Sequence, residues 1–302
     1  MKPALLLLLS LLTFSKPHAQ KQDKKLEQHI QQLIQNFNGN IGVYVKNLKN
    51  GRTVAINADT VFPTASMVKI PILIGLMDKI NKGELAYHQE LLYHDSLLYE
   101  GVDILGSFKD TEKIELSKVM MLMLTMSDNT ASLWLQSLAG TGTRINAILD
   151  SMGLSKTRVN SRTSGREEAR NTYGWGQTSP REMATLLERI YKHEVVSKAA
   201  SDRMLRSLNK NYWDAEAVSQ IPPYAAIFSK NGAVDESRSE VVLVRGIKSN
   251  YVFCICTKNN KDQIWEPTNE AWQLTRKLSA MLWHYFEKRN TWQPAPEADM
   301  FN

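Results

Sequence analysis

The spacing of apolar residues predicts one helix near the start of the chain and then a pair of strands. Apolar side chains recur at intervals of three or four residues across Lys24–Gln35, the period of an amphipathic helix. Ile41–Leu48 and Arg52–Ile56 then alternate between apolar and polar positions as strands do, and Asn50-Gly51 between them is a strong hairpin signal. The pattern therefore predicts a helix followed by a β-hairpin.

Helical patterns dominate the middle of the chain, and strands return only near its end. The predicted helices of this middle region are Met67–Asn81, Leu116–Met126, Thr130–Leu138, Thr143–Met152, Arg181–Tyr191 and Ser201–Leu208. Three predicted strands and a last helix follow, at Ala225–Ser229, Val241–Arg245, Tyr251–Thr257 and Glu266–Phe286. The order predicts an α/β (α+β) fold, in which one sheet is assembled from both chain ends and flanked by helices, beside an all-helical subdomain.

The same pattern predicts where the chain divides. Residues 20–61 and 209–288 would form a discontinuous α/β subdomain, residues 62–208 an all-α subdomain, and residues 289–302 a tail. The helical pattern fails between Gly153 and Pro180, where Gly165, Gly174 and Gly176 stand among polar residues. Because so long a loop inside a compact domain is usually functional, we expect an Ω-like loop near residues 154–179 to take part in a site.

The first residues have the features of an export signal. Lys2 precedes an almost wholly apolar run from Ala4 to Phe14, which is too short to span a bilayer but fits the core of a secretory signal peptide. A buried N-terminal helix is the alternative. Cleavage after Ala19 would make residues 1–19 the signal peptide, so we expect an exported protein, periplasmic or secreted, with no membrane segment in the mature chain.

Composition and charge exclude several classes of protein. The 302 residues are 43% hydrophobic and 23% charged, which excludes a disordered or low-complexity chain. The net charge of +6 includes Lys2 and Lys16 of the signal peptide, so the mature chain carries only +4, scattered rather than in a stripe that would bind nucleic acid.

Cys254 and Cys256 share one face of a predicted strand, where buried free thiols are expected. The six histidines form no metal-binding spacing, and we expect neither metal nor cofactor.

Three short motifs suggest nucleophilic catalysis. Ser66-Met-Val-Lys69 places a hydroxyl and an amine on one face of a helix start, where the amine can accept the serine proton. Ser127-Asp128-Asn129 lies between two predicted helices, and Lys230-Asn231-Gly232 follows a predicted strand. Each has a structural alternative: a serine cap beside a solvated lysine, an ordinary polar cap, and an Asn-Gly hairpin turn like the one at Asn50-Gly51.

Taken together and in this order, the motifs are far more specific than any one of them. S-x-x-K, S-D-N and K-T-G form the signature of class A β-lactamases and penicillin-binding proteins, and across about residues 24–287 the chain resembles a class A-like serine β-lactamase. Leu122–Ala131 and Thr178–Ala184 resemble the family's segments around S-D-N and at the close of its Ω-loop. The resemblance implies an antiparallel five-stranded sheet and a monomeric enzyme that works without metal or cofactor.

The resemblance also implies a role for each matching residue. Ser66 would be the acylating nucleophile, Lys69 its proton acceptor, and Ser127 the residue that passes a proton to the leaving nitrogen. Asn129 would bind the substrate's side-chain amide, and the backbone N–H groups of Ser66 and Ala233 would form the oxyanion hole. The remaining substrate-binding residues would be Lys230, Asn231 and Gly232.

Two departures from the family pattern bear on function. Asn231 replaces the hydroxyl residue of K-T-G, and Arg238 would either bind the substrate carboxylate in its place or be a solvated strand-end residue. The second departure concerns the glutamate that activates the deacylating water in the family. Glu167 stands four residues before Asn171, as that glutamate should. An ungapped register from Gly153 puts Thr163 at that position instead, and Glu167 could equally be a solvated loop charge.

We therefore expect a serine hydrolase that opens β-lactam amides through an acyl-enzyme on Ser66, as in antibiotic resistance and β-lactam catabolism. The alternatives are a penicillin-binding D,D-peptidase or esterase acting on D-Ala-D-Ala-like peptides, or a slowly deacylating lactam-binding protein. The presence or absence of a working glutamate in the Ω-like loop decides between rapid turnover and a persistent acyl-enzyme.

Overall fold

The computed structural model describes residues 21–101, 103–209 and 211–296. The predicted signal peptide, residues 1–19, lies outside the described residues, as does the end of the predicted tail. Within the described residues, no helix combines the length and the apolar character needed to cross a bilayer.

Strands and helices are interspersed along the described part of the chain. The strands are β1 (Asn40–Asn47), β2 (Thr53–Ile56), β3 (Phe62–Pro63), β4 (Glu90–Leu92), β5 (Lys113–Glu115), β6 (Arg158–Val159), β7 (Gly176–Thr178), β8 (Ala226–Val234), β9 (Ser237–Arg245) and β10 (Asn250–Lys258). The α-helices are α1 (Lys24–Ile34), α2 (Lys69–Asn81), α3 (Leu116–Met121), α4 (Asn129–Leu138), α5 (Thr141–Ser151), α6 (Glu167–Tyr173), α7 (Pro180–Tyr191), α8 (Lys198–Leu208) and α9 (Glu270–Phe286). Short 3₁₀ turns lie at Ala65–Val68, Asp95–Leu97, Leu105–Ser107 and Val218–Gln220, and a π-helical turn lies at Leu122–Met126.

The predicted fold class is confirmed. The main sheet has five strands in the order β2-β1-β10-β9-β8, and every neighbouring pair is antiparallel. Its first two strands come from the start of the chain and its last three from the end, so the sheet is built from both chain ends as predicted. The division into subdomains at the stated boundaries stays a prediction.

The central strands are buried on both faces, and each face packs against a separate set of helices. Val241 and Leu243 of β9 belong to a core shared with α2, α7 and α8, whereas Val242 and Val244 belong to a core shared with α1 and α9. This division follows from the two-residue period of a strand. The sheet is therefore covered on both faces, and its edge strand β8 contacts the 3₁₀ turn that leads into α2.

The two cysteines are as predicted. Cys254 and Cys256 are both buried free thiols on the same face of β10, with their sulfur atoms 3.6 Å apart. Burial raises the pKa of the Cys254 thiol well above its usual range. Both residues are therefore expected to act as core packing rather than as nucleophiles.

Two stretches of the chain have more regular structure than the hydrophobic pattern indicates. The structural alternative for Lys230-Asn231-Gly232, a hairpin turn, is excluded because β8 continues through it to Val234 and the chain turns at Asp235 and Glu236. The long loop between Gly153 and Pro180 contains α6 and two short strands that pair with each other. In both stretches polar side chains occupy ordered backbone, which the hydrophobic pattern cannot indicate.

Candidate active site

Ser66 and Lys69 lie at the point where a 3₁₀ turn runs into the first turn of α2. Ala65, just before the serine, has a φ of +42°, a backbone conformation that costs energy for a residue with a side chain. Lys69 follows one turn later and is completely buried, and its Nζ lies 3.0 Å from Ser66 Oγ. The helical spacing predicted from the sequence therefore brings the two groups into hydrogen-bond contact.

The Lys69 amine is also the point where the first two motifs meet. Its Nζ donates to the main-chain oxygen of Ser127 at 2.5 Å, contacts Ser127 Oγ at 3.0 Å and lies 3.1 Å from Asn129 Oδ1. Burial lowers the pKa of Lys69 well below its usual range, and the nearby charge of Lys230 lowers it further. A neutral amine in this position can accept the Ser66 proton, because it keeps one lone pair.

The Ser-Asp-Asn triplet is both a helix cap and part of the site. Asp128 is the N-cap of α4, and its carboxylate accepts the Ala131 N–H at 2.7 Å and the N–H groups of Ile104 and Leu105 at 2.5 and 3.1 Å. Ser127, just before it, adopts the left-handed conformation with φ +62°. By capping α4, Asp128 thus holds its neighbours Ser127 and Asn129 in place, and these are the residues that contact Lys69.

Lys230 is buried within β8 beside this cluster. Its Nζ donates to the carbonyl oxygen of Asn231 at 2.9 Å and to the Asn231 side-chain oxygen at 3.1 Å. Burial lowers the pKa of Lys230 to about 7, and the negative charge of Glu240 acts in the opposite direction. Glu240 lies opposite Asn231 in the sheet, is itself buried, and has its pKa raised by burial to about 8.

The contact with Lys230 decides which way the Asn231 amide faces. When it is charged, the Lys230 side chain can only donate N–H groups to this amide, so the Asn231 oxygen, which accepts, lies toward Lys230. Asn211 Nδ2 approaches the same oxygen at 3.5 Å. Asn231 also lines a cavity next to Ser66. Its NH₂ group is therefore the part of the amide that remains to donate into that cavity, as the hydroxyl of the usual motif would.

Gly232 lets β8 approach the nucleophile. A side-chain carbon added at Gly232 would lie 2.4 Å from the carbonyl oxygen of Thr64 and 2.7 Å from the backbone nitrogen of Ser66. Only glycine allows backbone to pass so close to backbone. The close approach brings Ala233, the next residue, to the same cavities as Ser66.

Two cavities meet at the serine. The first, of about 590 Å³, contains Tyr99 and Trp175, whose rings are 5.1 Å apart, and we call it the acyl-side cavity. The second, of about 520 Å³, contains Ser127, and we call it the leaving-side cavity. Ser66, Asn129 and Ala233 line both. Trp175 could not be found from the sequence, because aromatic residues in a polar loop have no pattern that distinguishes a pocket wall from surface packing.

Neither candidate for the deacylating base reaches these cavities. Glu167 lies exposed in the first turn of α6, and its Oε1 accepts the Gly165 N–H at 3.1 Å. Thr163 is buried and is not among the residues that line the cavities, and its hydroxyl donates to the Ser161 carbonyl at 2.8 Å. The carboxylates that do line the two cavities are Glu216 and Glu236, which lie outside the Ω-like loop.

Arg238 does not match either interpretation drawn from the sequence. Its side chain is only 1% exposed, so it is not a solvated strand-end residue, and it is not among the residues that line the two cavities. The guanidinium carbon instead lies 4.3 Å from the ring centre of Trp265 and 4.8 Å from that of Trp272. Among the described residues, no group of three or more histidine, cysteine or acidic side chains is arranged to hold a metal ion.

Comparison with known proteins gives consistent matches along the chain. The model of the Beta-lactamase enzyme family matches residues 25–286. Beta-lactamase VEB-1 of Pseudomonas aeruginosa is 24% identical over 236 residues, which cover 76% of this chain and 79% of that protein.

Solved structures share the fold. The structure of PBP-A is 26% identical, with a TM-score of 0.79 over 89% of this chain and 98% of that one, and a point mutant of PBP-A is described as an acyl-enzyme complex with penicillin G. The TLA-1 extended-spectrum β-lactamase, at 16% identity, has a TM-score of 0.78 over 88% of this chain and 99% of its own, which shows a common fold.

Proposed function

Because the chain belongs to the β-lactamase enzyme family and is a serine hydrolase of the β-lactamase type, we propose that Ser66 attacks the β-lactam carbonyl and forms an acyl-enzyme. The observation that carries this proposal is the buried Lys69 amine, which contacts Ser66 Oγ and Ser127 Oγ at 3.0 Å each. A nucleophile, a base and an acid for the leaving group are thereby joined through one nitrogen atom.

The proton follows the same contacts. Lys69 takes the proton from Ser66 Oγ as the new carbon–oxygen bond forms, and the carbon–nitrogen bond of the lactam then breaks. Ser127 gives its hydroxyl proton to the departing nitrogen and recovers one from Lys69, so that the proton of Ser66 ends on the leaving nitrogen while Lys69 and Ser127 return to their starting states. The lowered pKa of Lys69 supports this order of proton transfers, because burial disfavours the protonated form of the amine.

The substrate is held by the remaining residues of the site. The backbone N–H groups of Ser66 and Ala233 stabilise the oxyanion, and the Asn129 amide binds the side-chain amide of the substrate. The NH₂ group of Asn231 binds the carboxylate on the leaving side. Lys230 is buried behind Asn231 and is not among the residues that line the two cavities, so it acts through its charge, which attracts the carboxylate, and through its hydrogen bond to the Asn231 side-chain oxygen. Gly232 contributes by allowing the strand to lie this close to the serine.

The charge of Lys230 predicts a pH dependence. Since its pKa is about 7, Lys230 is charged below that pH and loses its charge as the pH rises through it. Acylation by a penicillin with a free carboxylate should then fall about tenfold between pH 6 and pH 8 relative to the methyl ester of the same penicillin. Titration of Lys69 affects both compounds equally, so its contribution cancels in the ratio of their kcat/KM values, which is measured across this range. A ratio that stays constant would exclude this role for Lys230.

Deacylation is proposed to be slow. Class A enzymes use an Ω-loop glutamate to activate the deacylating water, and no carboxylate of this chain's Ω-like loop is among the residues lining the two cavities. Glu167 is exposed, and Thr163 carries no basic group. The acyl-enzyme formed with a penicillin should therefore persist long enough to be isolated.

Intact mass spectrometry after rapid removal of unreacted penicillin tests this directly. We expect the adduct to decay at the same slow rate in wild type, Glu167→Gln and Thr163→Ala, since neither side chain reaches the acyl group. Faster decay in wild type than in one of the variants would identify that residue as the base and contradict the proposal. Thermal unfolding of each variant checks that the buried Thr163 can be changed without loss of the fold.

A penicillin-binding D,D-peptidase is the second candidate function. It is favoured by the 26% identity to PBP-A together with the absence of a loop carboxylate from the residues lining the two cavities. Release of terminal D-alanine from a D-Ala-D-Ala peptide by wild type, abolished in Ser66→Ala, would support it. Export to the periplasm or medium through the predicted signal peptide would bring either activity to its substrate.

A further inference from the structure

We propose that one wall of the leaving-side cavity is a subsite for a flat aromatic or heteroaromatic group on the substrate. The wall consists of Trp213, Trp265 and Trp272, and we call it the tryptophan wall. The inference rests on the proposed function, because it uses Ser127 as the residue that protonates the leaving nitrogen.

The position of Ser127 decides which part of the substrate meets the wall. Ser127 lines the leaving-side cavity together with the three tryptophans, whereas the acyl-side cavity is lined by Tyr99 and Trp175. The group attached to the leaving nitrogen must lie on the Ser127 side when that nitrogen takes its proton. A substituent carried on the ring that contains this nitrogen therefore extends toward the tryptophan wall.

Trp265 is exposed but firmly held. Its side chain is 56% exposed, which is unusual for so large an apolar ring, and it adjoins the catalytic serine's cavity. Its indole N–H donates to Asp235 Oδ1 at 2.8 Å, and its ring meets the Trp272 ring edge to face at 5.7 Å. A ring that is already fixed loses little freedom on binding, which favours affinity for a partner that stacks on it.

Arg238 explains how the wall is supported. Its guanidinium carbon lies 4.3 and 4.8 Å from the ring centres of Trp265 and Trp272, close enough for a cation–π contact with both. The carbonyl oxygens of Gln263 and Ile264 approach the same guanidinium at 3.4 Å each. The buried arginine thus links β9 to the loop that carries Trp265, and holds the two rings at the cavity.

Several polar groups at the tryptophan wall already have partners, which favours an aromatic ring over a sugar. Trp213 donates its indole N–H to the Met126 carbonyl at 2.9 Å, and Glu216 forms an ion pair with Arg276 at 2.8 Å. A sugar would need hydrogen-bond partners for its hydroxyl groups when they leave water. A flat aromatic ring can instead be bound by apolar contact and stacking on the tryptophan rings.

Two cephalosporins with the same acyl side chain test the subsite. One carries a phenylvinyl group on the six-membered ring beside the carboxylate, and the other carries a methyl group there. The second-order rate constant of acylation is measured for each by intact mass and divided by that compound's rate of alkaline hydrolysis, which removes the difference in intrinsic reactivity. We expect wild type to prefer the phenylvinyl compound by about fivefold to tenfold.

The variants locate the preference. Trp265→Leu should bring the corrected ratio close to one, whereas Trp265→Phe, which keeps a flat ring, should retain most of it. Tyr224→Leu is the matched control, since Tyr224 is a similarly exposed aromatic residue that does not line either cavity, and it should leave the ratio unchanged. The Phe variant also shows that any loss in the Leu variant is not a general failure of the loop to fold.

The outcomes separate the subsite from the function. Equal corrected rates in wild type, or a preference that survives in Trp265→Leu, would overturn the tryptophan wall while leaving Ser66 acylation in place. Failure of both cephalosporins to acylate wild type would overturn the proposed function and this inference with it.

Discussion

Replacing Lys69 with methionine is expected to slow acylation of Ser66 by penicillin about a thousandfold, because the general base is removed. The amine contacts Ser66 Oγ, Ser127 Oγ and Asn129 Oδ1 together. Methionine has nearly the same length and no proton acceptor of comparable strength. The rate of adduct formation, followed by intact mass, measures the loss.

The same variant should be close to wild type in stability, because relief from burying the amine offsets the loss of its hydrogen bonds to Ser127 and Asn129. Lys69 is completely buried, and an apolar side chain of similar volume avoids the cost of taking a polar head out of water. Lys82→Met, at an exposed position near the end of the same helix, is the control and should acylate like wild type. A Lys69→Met protein that unfolds at a much lower temperature, or that still acylates at the wild-type rate, would contradict this assignment.

Replacing Asp128 with alanine should have the largest effect on stability, about 3 kcal/mol in the free energy of unfolding. The substitution removes the cap of α4 and also leaves the buried N–H groups of Ile104 and Leu105 without their acceptor. Acylation should fall as well, because Ser127 and Asn129 on either side of Asp128 lose their fixed positions. Urea unfolding and the acylation rate measure the two effects on the same protein.

Ser197→Ala is the matched control for this prediction. Ser197 caps α8 through a single contact, to the Ala200 N–H at 3.3 Å, and lies outside the residues that line the two cavities. Its loss should cost about 1 kcal/mol and leave acylation unchanged. If both substitutions lower the free energy of unfolding by the same amount, Asp128 would act only as an ordinary helix cap.

Much of the fold could be predicted from the sequence because apolar periodicity is strong where elements pack on a core. The strands at both chain ends and the helical middle are where the pattern predicts them, and the resemblance to class A-like β-lactamases is confirmed by the family model over residues 25–286. All three motifs could also be located, since each is a short run of residues and the three stand in the family's order at Ser66, Ser127 and Lys230.

The rest could not be predicted because the site buries polar residues inside regular structure. The motif Lys230-Asn231-Gly232 could be located, but its position inside a strand that runs on to Val234, opposite the buried Glu240, could not, because hydrophobic patterning predicts the end of a strand there. Arg238 is buried between Trp265 and Trp272, which are 27 and 34 positions later in the chain, and no local pattern indicates such a pairing. The α6 helix lacks any fully buried residue, so it has no apolar face for the period to reveal.

The two buried lysines of the site lower the free energy of unfolding. Lys69 and Lys230 are both fully buried, and burial lowers the pKa of each, so the fold disfavours the charged form of both amines. Taking a polar amine out of water costs free energy that its hydrogen bonds only partly return. The extensive apolar cores on both faces of the sheet offset this cost, which is consistent with catalytic sites being stabilised by the structure around them.

The most direct measurement is the mass of the protein after brief exposure to penicillin G, followed by peptide mapping of the adduct. We predict one added penicillin per chain in wild type, attached to the peptide that contains Ser66, and none in Ser66→Ala. An unmodified wild-type protein that leaves the penicillin intact, or an adduct of equal yield in Ser66→Ala, would contradict the central claim.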